Sequence, residues 1–227
     1  MLSATTAHGQ SFSEDFNSVP MLTGAGWVMQ NNSQALGTTG WFQGNTIEFS
    51  AFDGPANSYV AANFENAGNG AGQDTISNWL ISPLRTFSNG DILSFYTRSA
   101  TNQISSVFVD RLQVRFSSAG ASTNVGNSAT STGDFTQLLL DINAQYGVGT
   151  QYPSIWTYYE ITFSGLPGPT SGRFAFRYFV EDGGPAGDRS NYIGIDSLVY
   201  TQIPEPGALA LFAVSGFLIP RRRRRRA

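Results

Sequence analysis

Polar and apolar side chains alternate regularly along two stretches of the chain. The first stretch consists of Arg111, Leu112, Gln113, Val114, Arg115 and Phe116. A period of two turns the apolar members toward one face of a β-strand and the polar members toward the other. Residues 174–180 repeat the pattern, with Arg177 on the polar side. Both stretches therefore predict half-buried strands.

Five further runs are rich in β-branched and aromatic residues: 41–49, 59–64, 92–97, 158–163 and 192–200. Clusters of Gly, Pro, Asn and Ser separate these runs, as turns do between antiparallel strands. We expect a turn of helix at 138–146, where the helical pattern is weak. Before residue 203 there is no convincing stripe of apolar residues at the helical period. The pattern predicts an all-β fold, either an antiparallel sandwich or a barrel.

Composition removes several classes of function. The 227 residues include no Cys and one His, His8, which excludes disulfides, thiolate zinc sites and His-rich metal centres and argues against a Ser-His-Asp triad. Charged residues make up 13% of the chain, about half the usual quarter. Up to residue 220 there are seven Arg and no Lys against sixteen Asp and Glu. This acidic body does not suit phosphate backbones, so we expect no nucleic acid partner.

The last 25 residues have a different composition. Pro204, Glu205 and Pro206 precede thirteen uncharged residues, 207–219. Six arginines follow: Arg221, Arg222, Arg223, Arg224, Arg225 and Arg226. As a helix, 207–219 would be about 20 Å long, short for a permanent span of a hydrocarbon core of about 30 Å. The alternative is a buried helix or strand, but burial of the arginines would cost several kcal/mol each. The pattern predicts membrane insertion, with the arginines in the cytoplasm and residues 1–202 on the other side.

These three parts, in this order at the C-terminus, resemble the PEP-CTERM sorting signal of Gram-negative bacteria. The resemblance implies processing by a membrane-embedded exosortase, transient insertion of 207–219 in the inner membrane, and delivery to the cell surface or the exopolysaccharide matrix. The prolines at 204 and 206 disfavour a helix, so an extended, accessible segment is expected just outside the membrane.

An exported protein carries an N-terminal signal peptide with a basic region and an apolar region. Residues 1–10 have neither, although the small residues at 4–9 are typical of the end of such a peptide. We interpret 1–11 as a signal-peptide remnant whose true start lies upstream. His8 then belongs to the leader, and the alternative is an exposed structural histidine. Residues 12–202 form the domain, and 203–227 form the sorting signal.

The body resembles the choice-of-anchor J family, which is related to cleaved-adhesin and MAM-like jelly rolls. The matching elements are FSEDF at 12–16, GW at 26–27, WF at 41–42, NWLISP at 78–83, LSFYTR at 93–98, LQVRFS at 112–117, FAFRY at 174–178 and GIDSL at 194–198. The resemblance implies a jelly-roll-like antiparallel β-sandwich. With the tail, the predicted structure is this sandwich followed by a short C-terminal hydrophobic helix.

Two kinds of binding residue are candidates. Four tryptophans could stack on sugars or fill the core of the sandwich: Trp27, Trp41, Trp79 and Trp156. Related domains carry a structural Ca²⁺, and by resemblance Glu14, Asp196 and, as a weaker third, Asp53 are its ligands. Ordinary solvated or turn-capping carboxylates are the alternative. A hard, oxygen-liganded ion suits the acidic surface of an exported protein.

Catalysis is not expected. The Glu-x-Asp-x-Glu strand pattern of sandwich glycosidases is absent, and Glu14-Asp15 and Glu181-Asp182 are adjacent pairs that point to opposite faces of a strand. The sequence therefore predicts an exported structural or adhesive β-sandwich. A carbohydrate-binding module for extracellular polysaccharide is the alternative, and a glycosidase is the third hypothesis.

Overall fold

The computed structural model describes residues 11–68, 74–100, 108–147 and 152–204. The strands in these ranges are β1 (Phe12–Glu14), β2 (Val28–Asn31), β3 (Phe42–Gln43), β4 (Val60–Asn63), β5 (Asp74–Ile81), β6 (Arg85–Phe87), β7 (Ile92–Ser99), β8 (Leu112–Ser117), β9 (Gln137–Ile142), β10 (Thr157–Thr162), β11 (Thr170–Gly183) and β12 (Tyr192–Thr201). Short 3-10 helices lie at Val19–Ala25 and Phe64–Asn66.

The strands form two antiparallel sheets. The first sheet has the order β10-β7-β12-β4-β3, and β1 pairs with the C-terminal part of β12. The second has the order β2-β5-β11-β8-β9, and β6 pairs with the start of β11. The predicted all-β antiparallel sandwich is confirmed for the described residues. The predicted C-terminal helix at 207–219 lies outside them, as do Glu205, Pro206 and the six arginines.

The main core lies between the sheets and follows the alternation seen in the sequence. Leu112, Val114 and Phe116 on β8 are almost completely buried, and Phe174 and Phe176 of β11 pack into the same cluster. Burial of each such side chain contributes roughly 1.5–3 kcal/mol. Phe87 and Phe116 meet edge to face, with ring centroids 5.0 Å apart. The predicted inward faces of these two strands are therefore confirmed.

The predicted outward faces of the same strands are not solvent-exposed, so the half-buried prediction was wrong there. Gln113 is 3% exposed and Arg177 is 1% exposed. The connection 118–135 folds over this outer face, and its Val125 and Phe135 form a second apolar cluster with Trp79. Alternation of side chains cannot reveal a face that a distant loop covers.

A second connection, 44–58, covers part of the outer face of the first sheet. Its Phe49 stacks on Tyr59 with ring centroids 5.0 Å apart and meets Tyr192 of β12 edge to face at 5.3 Å. The loop approaches so closely that a Cβ on Gly194 would lie 2.9 Å from the ring of Phe49. Both outer faces of the sandwich therefore carry an additional layer.

Two local predictions need correction. The run 138–146 is not helical, because Gln137–Ile142 forms β9 and pairs with β8. The run 41–49 contributes only the two-residue strand Phe42–Gln43, after which the chain turns at 46–48. In both places a partner strand or a turn overrides the local propensity. Within the described part of the chain, no helix has the length and apolarity needed to cross a membrane.

Candidate functional site

The middle of loop 44–58 is held to the first sheet by a buried carboxylate. Asp196 lies on β12 at a break in register, and the residue after it, Ser197, has a φ of 48°. One oxygen of Asp196, Oδ2, accepts the backbone N–H groups of Phe52 at 2.7 Å and Asp53 at 3.2 Å. The other, Oδ1, accepts the N–H of Ser197 at 2.6 Å. Asp196 thus fixes the position of Phe52.

The loop places Phe52 directly on β7. Its ring stacks on Tyr96 with centroids 3.6 Å apart and an interplanar angle of 15°. Tyr158, opposite Tyr96 on β10, lies 5.4 Å from it at 59°. Phe52 is 44% exposed and Tyr158 is 48% exposed. We call Phe52, Tyr96 and Tyr158 the aromatic patch.

Polar groups lie beside the aromatic patch on the same face of the sheet. The Tyr158 hydroxyl donates to Glu160 Oε2 at 2.7 Å, and this hydrogen bond raises the pKa of the hydroxyl. Ser94 of β7 is the cross-strand neighbour of Glu160. Exposed rings flanked by a carboxylate and a hydroxyl can contact both the C–H face and the hydroxyl edge of a sugar.

The carboxylates proposed for calcium are partly brought together. Glu14 is half-buried on β1, which pairs with β12 two residues beyond Asp196, while Asp53 is exposed and meets Asp196 through its backbone N–H. The pKa of Asp196 is raised to about 6, mainly because the carboxyl group is buried. The charge of Asp15 also raises this pKa, whereas three backbone hydrogen bonds lower it. Burial also raises the pKa of Glu14. Within residues 11–68, 74–100, 108–147 and 152–204, no three acidic or histidine side chains converge closely enough to hold a metal ion.

The tryptophans pack rather than present faces to solvent. Trp27, Trp41 and Trp79 are 2%, 6% and 0% exposed. Trp156 packs against the cluster of Phe49 and Tyr59, and its indole N–H donates to Ser50 O at 2.9 Å. The core interpretation is therefore confirmed for Trp27, Trp41 and Trp79, while Trp156 is partly buried.

Phe52, Tyr96 and Tyr158 form the aromatic patch instead, and sequence reasoning did not single them out. Tyr96 and Tyr158 lie in predicted strands. Because Leu93 and Phe95 face the core, the alternation of side chains along β7 turns Tyr96 outward. No local signal shows that residue 52 reaches residue 96. Such a contact depends on the path of a loop, which pattern reasoning does not predict.

Other acidic side chains near the surface take part in structural contacts. Arg111 forms a salt bridge with Asp141 at 2.7 Å and a longer one with Glu181 at 3.5 Å. The hydrogen bonds that the Arg111 guanidinium donates to the Asp141 carboxylate raise the pKa of Arg111. Arg177 is buried among Ser77 Oγ, Gln113 Oε1 and the backbone oxygen of Ala129, and burial lowers the pKa of its guanidinium to about 9. Arg177 thereby ties the connection 118–135 to the second sheet.

Solved structures resemble this fold. The K1 cleaved adhesin domain of Lys-gingipain from Porphyromonas gingivalis W83 matches with a TM-score of 0.56 and 24% identity, over 86% of this chain and 100% of that chain. The K2 cleaved adhesin domain of Lys-gingipain matches with a TM-score of 0.51 and 24% identity, over 85% and 100% of the two chains. A carbohydrate-binding module of the β-sandwich superfamily gives a TM-score of 0.44 at 11% identity, too low to support an argument. No family model and no curated protein matches the chain. The similarity establishes the fold alone.

Proposed function

We propose that the chain is an exported surface or exopolysaccharide-matrix protein of a Gram-negative bacterium, with a non-catalytic, jelly-roll-like adhesive domain that contacts extracellular polysaccharide. The aromatic patch carries this proposal. Two half-exposed rings stand on one sheet face, and the loop that presents Phe52 donates two backbone hydrogen bonds to a buried carboxylate. A preformed surface loses little entropy when it binds a sugar chain.

The absence of catalysis is part of the proposal. Glycoside hydrolysis needs two carboxyl groups that can reach the scissile bond from opposite sides. Both oxygens of Asp196 already accept backbone N–H groups, and Glu160 accepts the Tyr158 hydroxyl. These contacts favour an adhesive role over a glycosidase.

Polysaccharide binding is tested by the migration of the purified chain in native gels containing a soluble polysaccharide, with a panel of β-glucans and bacterial exopolysaccharides. Covering a half-exposed ring is worth about 1.4 kcal/mol, so Phe52→Ala and Tyr158→Ala should each weaken retardation roughly tenfold. Leu138→Ala is the matched control, because Leu138 is 46% exposed on β9 of the other sheet. Equal retardation of all four proteins would refute the role of the patch. Release of reducing ends from the polysaccharide would refute the non-catalytic assignment.

Sorting through the tail is the second part of the proposal, and it rests on the resemblance of 203–227 to the PEP-CTERM signal. The fold holds the chain up to this point: the Ile203 N–H donates to Asp91 Oδ1 at 2.9 Å, and the Gln202 N–H donates to Ser11 Oγ at 2.9 Å. Pro204 therefore begins the motif immediately after a residue that is hydrogen-bonded to the domain. Deletion of 203–227 should abolish surface display in a host with an exosortase, and normal display of the truncated protein would refute the sorting role.

Structural calcium is proposed with Glu14 and Asp196 as ligands and Asp53 as a weaker third. The half-buried Glu14 and the buried Asp196 have raised pKa values, and the charge of the nearby Asp15 raises both further. A hard divalent cation suits such an oxygen-rich, acidic position. It would offset the cost of burying these charges.

A further inference from the structure

We propose that the polysaccharide contacted by the aromatic patch carries protonated amino sugars, and that the carboxylate of Glu160 selects them. The assignment of this ligand class rests on the proposed contact with polysaccharide. Glu160 follows Tyr158 by two residues on β10, so both side chains lie on the outer face of the first sheet, about 7 Å apart along the strand. Both are exposed. A sugar ring on Tyr158 therefore has Glu160 within reach of its substituents.

The Glu160 carboxylate has a free oxygen that faces a ligand. Its Oε2 accepts the Tyr158 hydroxyl at 2.7 Å, which holds the carboxylate beside the ring. In the part of the chain that the structure describes, Oε1 has no hydrogen-bond partner and neither oxygen has a salt-bridge partner. An ammonium group donates up to three hydrogen bonds, and a bond between two charged groups is roughly twice as strong as a neutral one. The free oxygen therefore favours a protonated amine over a sugar hydroxyl.

The side chains next to Glu160 on the outer face carry no charge. Ser94 of β7 lies opposite Glu160, and Val199 of β12 and Ser13 of β1 continue this row across the sheet. The next row along the strands consists of Thr162, Ile92 and Thr201. Hydroxyl groups in both rows can bond the hydroxyls of a sugar chain. Among these outward positions, the choice between charged and neutral sugars therefore depends on Glu160.

Charged groups at the border of this surface act in the same direction. Asp15 and Asp53 are exposed, and both lie near Asp196: the charge of Asp15 raises the pKa of Asp196, and the Asp53 N–H donates to it. Arg98, which also points outward on β7, lies 4.3 Å from the centre of the Phe49 ring, in the covered part of the face. The faces of the exposed rings attract cations as well. An amino sugar is therefore favoured over an acidic one.

The test compares two trisaccharides that differ only at nitrogen: the trimer of β-1,4-linked glucosamine and its fully N-acetylated form. Binding to the ¹⁵N-labelled full-length chain is measured by NMR titration at pH 6, where the amines are largely protonated, from the backbone N–H signals of Tyr158 and Glu160. Exposed ion pairs are weak, so we expect the glucosamine trimer to bind about threefold to fivefold more tightly than the acetylated trimer.

Three variants assign this preference to particular groups. Glu160→Gln keeps an oxygen for the Tyr158 hydroxyl but loses the charge, so it should bind the two trimers equally. Glu65→Gln is the matched control, because it removes the same charge from an exposed residue that follows β4, three strands away from β10, and it should keep the preference. Phe52→Ala removes apolar surface without a change of charge, so it should weaken both trimers by similar factors.

Several outcomes would overturn the selection of amines by Glu160. Equal binding of the two trimers by the wild type would do so, and if Phe52→Ala then weakened both, the role of the aromatic patch would still stand. An equal loss of preference in Glu65→Gln and Glu160→Gln would also do so, because the acidity of the whole chain would then be the cause. Binding of neither trimer would overturn the amine proposal alone, since retardation by the polysaccharide panel tests the patch separately.

Discussion

Titration of the buried Asp196 carboxylate should make the domain less stable as the pH rises from about 4 to about 6. In the folded chain, burial raises the pKa of Asp196 from 3.8 to about 6, even though the N–H groups of Phe52, Asp53 and Ser197 favour the charged form. Between these values the unfolded chain has released the proton and the folded chain still holds it. Stability falls with pH wherever the folded state binds more protons.

The magnitude follows from the two pKa values. Their difference is about two units, and each unit corresponds to about 1.4 kcal/mol, so Asp196 should account for a loss of about 3 kcal/mol across this range. The stabilising contribution is fully present below pH 3.8 and is lost as the pH passes about 6. For a domain of this size such a loss is a large part of the total stability.

The assay is urea unfolding of the wild type and of Asp196→Asn at a series of pH values from 3.5 to 7.5, without divalent cations. All other carboxylates, including Glu14, titrate in both proteins, so the difference in unfolding free energy isolates Asp196. We expect this difference to move by about 3 kcal/mol in favour of the Asn variant as the pH rises. A difference that stays constant, or that moves in favour of the wild type, would refute the assigned burial cost.

Three further outcomes are expected. If calcium is structural, excess Ca²⁺ should raise the melting temperature above that in chelator, and identical melting temperatures would remove the calcium proposal. In urea unfolding, Gly44→Ala should destabilise the fold by about 1–3 kcal/mol, because the new Cβ would lie 2.3 Å from the Tyr59 ring. The control Gly24→Ala meets no atom within 4 Å and should change the stability by less than about 0.5 kcal/mol. Arg177→Met should lower stability by about 2–3 kcal/mol and expose Trp79 to acrylamide quenching, because the guanidinium holds the covering loop to the second sheet, and unchanged quenching would contradict this.

The strands were predictable where apolar and polar residues alternate along the chain. The inward residues Leu112, Val114 and Phe116 were identified from alternation, and β8 lies within one residue of its predicted bounds. The outward face was not predictable, because the burial of Gln113 depends on a connection that returns over it. The helix predicted at 138–146 was wrong because Gln137–Ile142 is an edge strand with exposed and half-buried leucines, whose pairing with β8 comes from tertiary context.

The candidate surface was less predictable than the fold. Of the two interpretations of the tryptophans, core filling is confirmed for Trp27, Trp41 and Trp79, since large aromatic rings in a sandwich first serve to fill its layers. The aromatic patch depends on the contact between Phe52 and Tyr96. The hydrogen bond from the Phe52 N–H to Asp196, which holds Phe52 in place, joins residues 144 positions apart in the chain. Asp196 was identified only through resemblance, and its observed contacts are with backbone N–H groups.

The coverage of the outer faces of both sheets explains the low content of charged residues. A bare sandwich would expose two polar sheet faces to water, and charged side chains commonly coat such faces. Here the connections 44–58 and 118–135 cover parts of both faces, so many outward positions hold aromatic or uncharged polar residues. Short amide and hydroxyl side chains form hydrogen bonds with backbone groups of the connection 118–135. Ser131 Oγ accepts the Ser128 N–H and donates to the Ser128 backbone oxygen, and Asn32 donates through Nδ2 to the backbone oxygen of Gly126 at 2.8 Å. A composition rich in Asn, Ser, Thr and Gly and poor in charge therefore favours a sandwich with layered loops, and such loops place single rings like Phe52 where a ligand can reach them.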